Sequence, residues 1–289
     1  NNVKILLDGI PLIDRGATKQ SLSQLDVNSI ERVEIVEGPM SVVYGTDALA
    51  GVINIITKKG DGYSEENTWR VGARVQEESM GKEYDFFKDK GLHNESIDLG
   101  FNHKSGLFVN GGYTRNNHGG WQGDLTGREK RWHPKDQALM NGMFGFQNRN
   151  MNVWYRLDFL DEKIFGPNNG SELQPEKVSD KDFLTKRYTH QLQSDWKLDN
   201  RLDVHAALSY QDYKRRTRTT ESDLSTGEKW LSSAEASQDI TQYKAWIARA
   251  TVAWNIAPEF SVQPGVEYQW TQGEGGRIDG TPKVSDLAF

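Results

Sequence analysis

From Trp69 onward the chain alternates apolar and polar side chains with a period of two, and no other feature constrains its fold as strongly. Successive side chains of a strand point to opposite faces, so the pattern specifies strands with one apolar and one polar face. Nine segments carry it: 69–76, 96–102, 107–114, 138–147, 152–160, 188–198, 202–211, 244–254 and 260–270. In 96–102, Ile97, Leu99 and Phe101 oppose Ser96, Asp98, Gly100 and Asn102. In 152–160, Val153, Tyr155, Leu157 and Phe159 oppose Asn152, Arg156 and Asp158. The connections alternate in length. Those at 102–106, 147–150, 198–201 and 255–259 are tight and rich in Asn, Gly and Pro, whereas 79–95, 116–137, 161–187 and 215–241 are long and polar. Strict alternation of short turns and long loops is the habit of transmembrane β-barrels, with turns on the periplasmic side and loops outside. Tyr113, Phe159, Trp196, Tyr210, Trp254, Phe260 and Trp270 fall near strand ends, as interfacial girdles require.

Composition sets outer limits. Thirty-five basic against 41 acidic side chains leave a net charge of −6, which argues against nucleic acid as a partner. There is no cysteine, so no disulfide, thiolate metal site or cysteine nucleophile. Mean hydropathy is −0.73, and no run approaches the ~18 apolar residues of a membrane helix. A barrel strand needs only about 10 residues, every second one free to be polar, so a barrel stays open. Nine strands are fewer than the roughly 22 of a plugged barrel, so the expectation is a partial barrel with Phe289 ending in an outer loop.

The first sixty residues read differently, as a compact α+β unit. Residues 4–7 form a short buried strand closed by the turn pair Asp8-Gly9, and Ile10 and Leu12 begin another apolar segment. Residues 33–37 form a strand broken by Gly38-Pro39, 40–44 a helical turn closed by Gly45, and 52–57 a strongly β-branched strand entered through Gly51.

Three ordered runs here, Ile30-Glu-Arg-Val-Glu-Ile-Val-Glu-Gly-Pro39, Val43-Tyr-Gly-Thr-Asp-Ala-Leu-Ala-Gly51 and Val52-Ile-Asn-Ile-Ile-Thr-Lys58, with Leu7-Asp-Gly-Ile-Pro11 upstream, resemble the plug signature of TonB-dependent outer-membrane receptors. The variant is most similar to the cobalamin, haem and catecholate siderophore branch. The resemblance carries over to Asp8, Gly9, Glu31, Arg32, Glu34, Gly38, Pro39, Tyr44, Gly45, Asp47, Gly51 and Asn54. It implies a plug at 1–60 followed by the opening strands of an antiparallel transmembrane β-barrel at 61–289. One departure stands out: many members carry Arg before the Gly-Pro to lock the plug against barrel glutamates, and this chain has Glu37.

The charged group Glu31, Arg32, Glu34 and Glu37 is better explained by interface pairing than by carboxylate catalysis. The glycine spacing matches no phosphate-binding fingerprint. The six histidines form no helical metal motif, and no nucleophile constellation stands out, so neither an enzyme nor a bound cofactor is expected. His118, Trp121, Trp132 and His133 lie in one long loop, where they are candidates to meet a flat aromatic ligand, with charge from Arg128, Lys130 and Arg131. Asp180 and Asp182 offer acidic oxygens for calcium, without the spacing of an EF-hand loop.

The resemblance implies a receptor in the bacterial outer membrane, surrounded by its lipids, that imports a scarce nutrient with energy from the TonB-ExbB-ExbD complex. The TonB-contacting segment is expected upstream of Asn1. A ferric siderophore or haem is the expected cargo and cobalamin the alternative. A binding-only adhesin or a phage or toxin receptor on the same scaffold is the reading from another class.

Overall fold

The computed structural model describes residues 3–12, 22–38, 51–60, 66–86, 89–257, 259–275 and 283–288. The N-terminal unit is a four-stranded sheet of β1 (Val3–Leu7), β2 (Ile10–Pro11), β3 (Ile30–Glu37) and β4 (Gly51–Thr57), in the order β2-β1-β4-β3. β1 and β4 run parallel, and the remaining pairs are antiparallel. Asp8 and Gly9 adopt φ of 50° and 81°, the left-handed pair of a two-residue hairpin joining Leu7 to Ile10. Leu7, Leu25 and Ile55 form a small core with Ile5, Leu12, Ile30 and Ile53 packed on it. Two 3-10 turns, Leu22–Gln24 and Val27–Ser29, precede β3, and among the described residues there is no α-helix. The helical turn expected at 40–44 lies outside the described residues.

The second sheet contains β5 (Thr68–Glu78), β6 (Leu92–Asn102), β7 (Leu107–His118), β8 (Lys135–Gln147), β9 (Met151–Gly166), β10 (Lys177–Lys197) and β11 (Leu202–Asp223). It continues through β12 (Lys229–Leu231), β13 (Ile240–Ala257), β14 (Phe260–Val262), β15 (Gly265–Glu274) and β16 (Lys283–Ala288). Its main path follows chain order from β5 to β16, every neighbour antiparallel; β12 pairs off β11 and β14 off β13.

All nine expected strands are present, with three corrections to their bounds. The loops expected at 161–187 and 215–241 are shorter, because β9 continues to Gly166, β10 starts at Lys177 and β11 runs to Asp223. There the outward column turns from apolar to charged, so the alternation fades while the backbone ladder goes on. The expected strand 260–270 is broken between Val262 and Gly265, next to Pro264, which has no N–H for a ladder. A further strand, β16, pairs with β15 where an outer loop was expected.

This wall is apolar outside and polar inside. Trp69 is 76% exposed, Val71 71% and Phe144 60%, and Leu99, Val109, Leu192 and Trp246 share that outward face. On the opposite face Gln137 and Gln211 are both 0% exposed and Thr189 1%. From Tyr188 to Trp196 the outward column of β10 spans roughly 27 Å of strand, close to the ~25 Å apolar band of an outer-membrane barrel. His190 interrupts that band, and its Nδ1 meets the Tyr155 hydroxyl at 2.7 Å.

Two predictions follow the geometry. The protein has no cysteine, so Glu172→Cys in the connection between β9 and β10, and Arg149→Cys in the turn between β8 and β9, carry clean labels. A membrane-impermeant maleimide should reach the first on intact cells and the second only after permeabilisation; equal labelling would refute opposite-side placement. At the plug, Gly51 pairs with Glu37 at φ +140°, where a Cβ would stand 2.5 Å from the Val36 carbonyl oxygen. Gly51→Val should destabilise the plug sheet by about 3 kcal/mol, read as an earlier plug transition in denaturant, and an unmoved midpoint would show that the close approach relaxes.

Candidate functional site

Four of the plug signature residues, Asp8, Gly9, Glu34 and Asn54, meet around the hairpin. The Asp8 carboxylate, its side chain fully buried, accepts from the Thr57 backbone N–H at 3.0 Å and the Thr57 hydroxyl at 2.7 Å, with Lys59 Nζ at 3.6 Å. The Gly9 N–H donates to Asn54 Oδ1 at 2.9 Å, and Asn54 Nδ2 donates to Glu34 Oε2 at 3.1 Å. Asp8, Gly9, Asn54 and Glu34 therefore form one network across β1, β4 and β3. Arg32 pairs on the surface with Glu34 and Glu31, each at 3.0 Å, and the Glu34 hydrogen bond leads in raising its pKa. Gly38 ends β3 at φ +103°. Pro39, Tyr44, Gly45 and Asp47 lie outside the described residues.

The plug sits against the polar face of the wall, and the wall does the holding. Side chains of β10, β11 and β13 donate to its main-chain carbonyls: Gln191 to Leu7 at 3.3 Å, Gln193 to Asp8 at 2.8 Å, Gln211 to Pro11 at 2.6 Å and Arg249 to Gly9 at 2.9 Å. Higher up, Arg187 donates to the Gln24 carbonyl at 2.8 Å and Gln137 to the Ser23 carbonyl at 2.9 Å, while Gln24 donates to Glu162 at 2.8 Å. Asp26 caps the second 3-10 turn and accepts from Thr114 at 3.0 Å and Asn141 at 3.3 Å. Apolar contact includes Ile10 against Ala207 and Ile247, and Leu25, Ile30 and Ile55 line a small cavity with Leu139 and Leu160 of the wall. Glu37 is exposed; the cations at this seat, Arg187 and Arg249, belong to the wall. Sequence reasoning passed over these glutamines and arginines, although they occupy the polar positions of the period-two strands.

The loop after β7 folds back on itself. Trp121 and Trp132 exchange backbone hydrogen bonds of 2.9 and 3.1 Å, their rings 5.4 Å apart, and the His118 ring lies 6.0 Å from Trp132. The Gly120 N–H donates to His118 Nδ1 at 3.0 Å. His118, Trp132 and His133 line an open cleft of about 350 Å³ with Lys135, Ile164 and the plug residue Ser23. Burial lowers the pKa of Lys135 against the pull of Glu162, and burial, then Lys135, lowers that of His118.

Of the basic residues expected to supply charge, Arg128 and Lys130 are engaged elsewhere, while Arg131 lines the cleft. Arg128 grips Asp180 with two nitrogens at 3.0 and 2.7 Å and bonds the Asn168 carbonyl at 2.9 Å, which ties this loop to the next. Arg131 pairs with Asp124, and Lys130 lies 3.9 Å from Glu83. Arg131 and Lys135 are the cations that line the cleft, Arg131 with its charge shared with Asp124. Asp182 meets Lys163 at 3.2 Å, and among the described residues no three potential metal ligands cluster.

Comparison with known proteins agrees with this architecture. The TonB-dependent Receptor Plug Domain model matches residues 1–52. The vitamin B12 transporter BtuB of Vibrio vulnificus (strain CMCP6) is 42% identical over 73 residues, 25% of this chain and 12% of that protein. The ferric yersiniabactin uptake receptor FyuA from Yersinia pestis shares the fold at a TM-score of 0.60 and 14% identity, over 99% of this chain and 51% of that one. The copper transporter OprC does so at 0.58 and 11% identity, again over 99% and 51%. The chain thus spans about half the length of these solved structures. It opens with a match to the plug domain of TonB-dependent receptors, and the two-faced antiparallel wall after it shares the fold of these solved receptor and transporter structures.

Proposed function

We propose that the chain is the plug and adjoining barrel wall of an active importer in the bacterial outer membrane, driven through the TonB-ExbB-ExbD complex. The observation that carries this reading is the chemistry of the plug seat. Among the described residues six wall side chains donate to plug carbonyls, beside the apolar contact of Ile10 with Ala207 and Ile247. In a hydrated lumen such hydrogen bonds exchange with water at a net cost of about 1 kcal/mol each, so this part of the seat holds the plug firmly yet gives way under an applied force. A ligand bound where plug and loops meet, near Ser23 and Trp132, shifts the plug only through differential affinity for its two arrangements.

For cargo we favour an iron chelate or haem, supported by the rings of His118, Trp121 and Trp132 and by Lys135 as a partly desolvated cation. Cobalamin is the second reading, favoured by the 42% identity to a vitamin B12 transporter over 73 residues.

Two measurements test these readings. Replacing Arg187 with Met removes the charge-assisted bond to the Gln24 carbonyl and should lower plug stability by about 2 kcal/mol, leaving barrel unfolding unchanged. If plug and barrel transitions both stay in place, wall arginines do not hold the plug. Titration of the receptor with ferric siderophores, haem and cyanocobalamin should show tight binding of an iron chelate or haem, weakened about tenfold or more by Trp132→Ala. Tight cobalamin binding indifferent to that change, with no affinity for iron chelates or haem, would replace the cargo and keep the receptor.

A further inference from the structure

The turn that leaves β7 hangs on one imidazole. His118 ends the strand directly opposite Lys135 of β8, on the same inward face as Thr114 and Asn116, which bond Asp26 of the plug and Gln137 of the wall. The Gly120 N–H meets His118 Nδ1 at 3.0 Å. A backbone N–H can only donate, so Nδ1 carries a lone pair and the single proton of the ring sits on Nε2.

The wall of the cleft depends on that bond. Gly120 holds φ of +79°, and a Cβ there would stand 2.8 Å from both the Trp132 carbonyl oxygen and Pro134, so the turn fits closely against the returning side of the loop. Trp121, the next residue, exchanges its backbone bonds with Trp132, and the Gly119 N–H donates to the Gly91 carbonyl at 2.9 Å. The His118 ring itself packs 6.0 Å from that of Trp132. Whatever frees Gly120 therefore loosens the strand pairing that sets Trp132 and His133 at the cleft.

We propose that His118 is a pH-operated latch: with Nδ1 unprotonated it holds the 118–121 turn and the cleft wall in place, and a proton on Nδ1 releases both. An imidazolium carries an N–H at each nitrogen, so it would turn a donor toward the Gly120 N–H and exchange a hydrogen bond for repulsion. The surroundings oppose that second proton. Lys135 faces the ring from β8, Arg131 and His133 line the same cleft, and Lys163 of β9 lines the adjoining one with the acids Asp89 and Asp136. Asp136 is shared with Arg115 at 3.5 Å, and Glu162 acts on Lys135. Burial first, then Lys135, holds the pKa of His118 below its ordinary value. The latch is therefore complete above the ordinary imidazole pKa of about 6.5 and weakens as pH falls from there through the lowered value. It rests on the geometry of this loop, whichever cargo enters the cleft.

The test is amide hydrogen exchange of the purified receptor in micelles, read on peptides covering 119–132 and corrected for the intrinsic rate at each pH. Wild-type protection of this segment should fall about tenfold between about pH 7.5 and about pH 5, while peptides from the β9 to β11 ladders keep theirs. His118→Asn supplies a side-chain oxygen that accepts from the N–H two residues on and does not titrate, so protection should persist at both pH values. His118→Phe offers no acceptor and should be unprotected at both, and His133→Gln should follow the wild type. Wild-type protection that is the same at both pH values overturns the proposal. So does acid loss in His118→Asn equal to that of the wild type, or its disappearance in His133→Gln, since another group would then be responsible. If His118→Phe fails to assemble, nitrogen NMR of histidine-labelled wild type decides. At about pH 7.5 the His118 signal, identified by its absence in His118→Asn, should show the proton on Nε2, and a proton on Nδ1 refutes the latch.

Discussion

At bilayer depth a main-chain N–H or C=O has no water to turn to, and each one left unpaired costs several kcal/mol. The long sheet meets this demand with long ladders, twenty-one residues of β10 paired with β11 and all but one of the thirteen of β8 paired with β7. Once the backbone is satisfied internally, side chains are free to sort by face. Apolar residues go outward and polar ones inward, the reverse of a water-soluble protein. The inward face thereby becomes a surface rich in amides, guanidiniums and hydroxyls, and the plug needs such a surface for its seat.

That inversion shapes the energetics of the plug. A soluble domain of this size would dock through apolar area, but here the plug core is limited to Leu7, Leu25 and Ile55 with their neighbours, and docking draws also on donors reaching carbonyls. The β1–β2 hairpin is central to this. Its left-handed Asp8-Gly9 pair turns the carbonyls of Asp8 and Gly9 toward Gln193 and Arg249, while Asp8 itself is tied to Thr57 and Gly9 to Asn54. The signature residues therefore stabilise the hairpin from within, and the wall reads the backbone they present. Glu37 is exposed at the end of β3, while Arg187 and Arg249 of the wall donate to plug carbonyls.

The loop end follows another rule. Beyond the apolar belt β9, β10 and β11 continue as ladders whose outward side chains are mostly charged, so the wall extends past the belt before any loop begins. The Arg128–Asp180 fork then joins two loops into one rim, and Arg131 and Lys130 meet acids of their own. Their role is to fix the shape of the rim. The cations at the cleft are Arg131, held by Asp124, and Lys135, the first residue of β8.

Period-two alternation is a local property, so the strands, their faces and the order of turns and loops were legible in the residues themselves. So was the Asp8-Gly9 turn, because few dipeptides accept two left-handed conformations in succession. Strand ends were less legible, because 161–166 and 215–223 keep the ladder after losing the apolar signal. Pairings distant in sequence were not legible at all. Nothing local distinguishes Arg128, which holds Asp180, from Lys135, which lines the cleft, or marks Gln193 as the partner of Asp8 rather than of solvent. The sequence by itself determined a two-faced antiparallel wall preceded by a plug, because face and turn chemistry are encoded within a few residues. Only the tertiary structure decided which polar side chains hold the plug and which close the rim, because ion pairs and hydrogen bonds depend on what strand register brings together across more than a hundred residues.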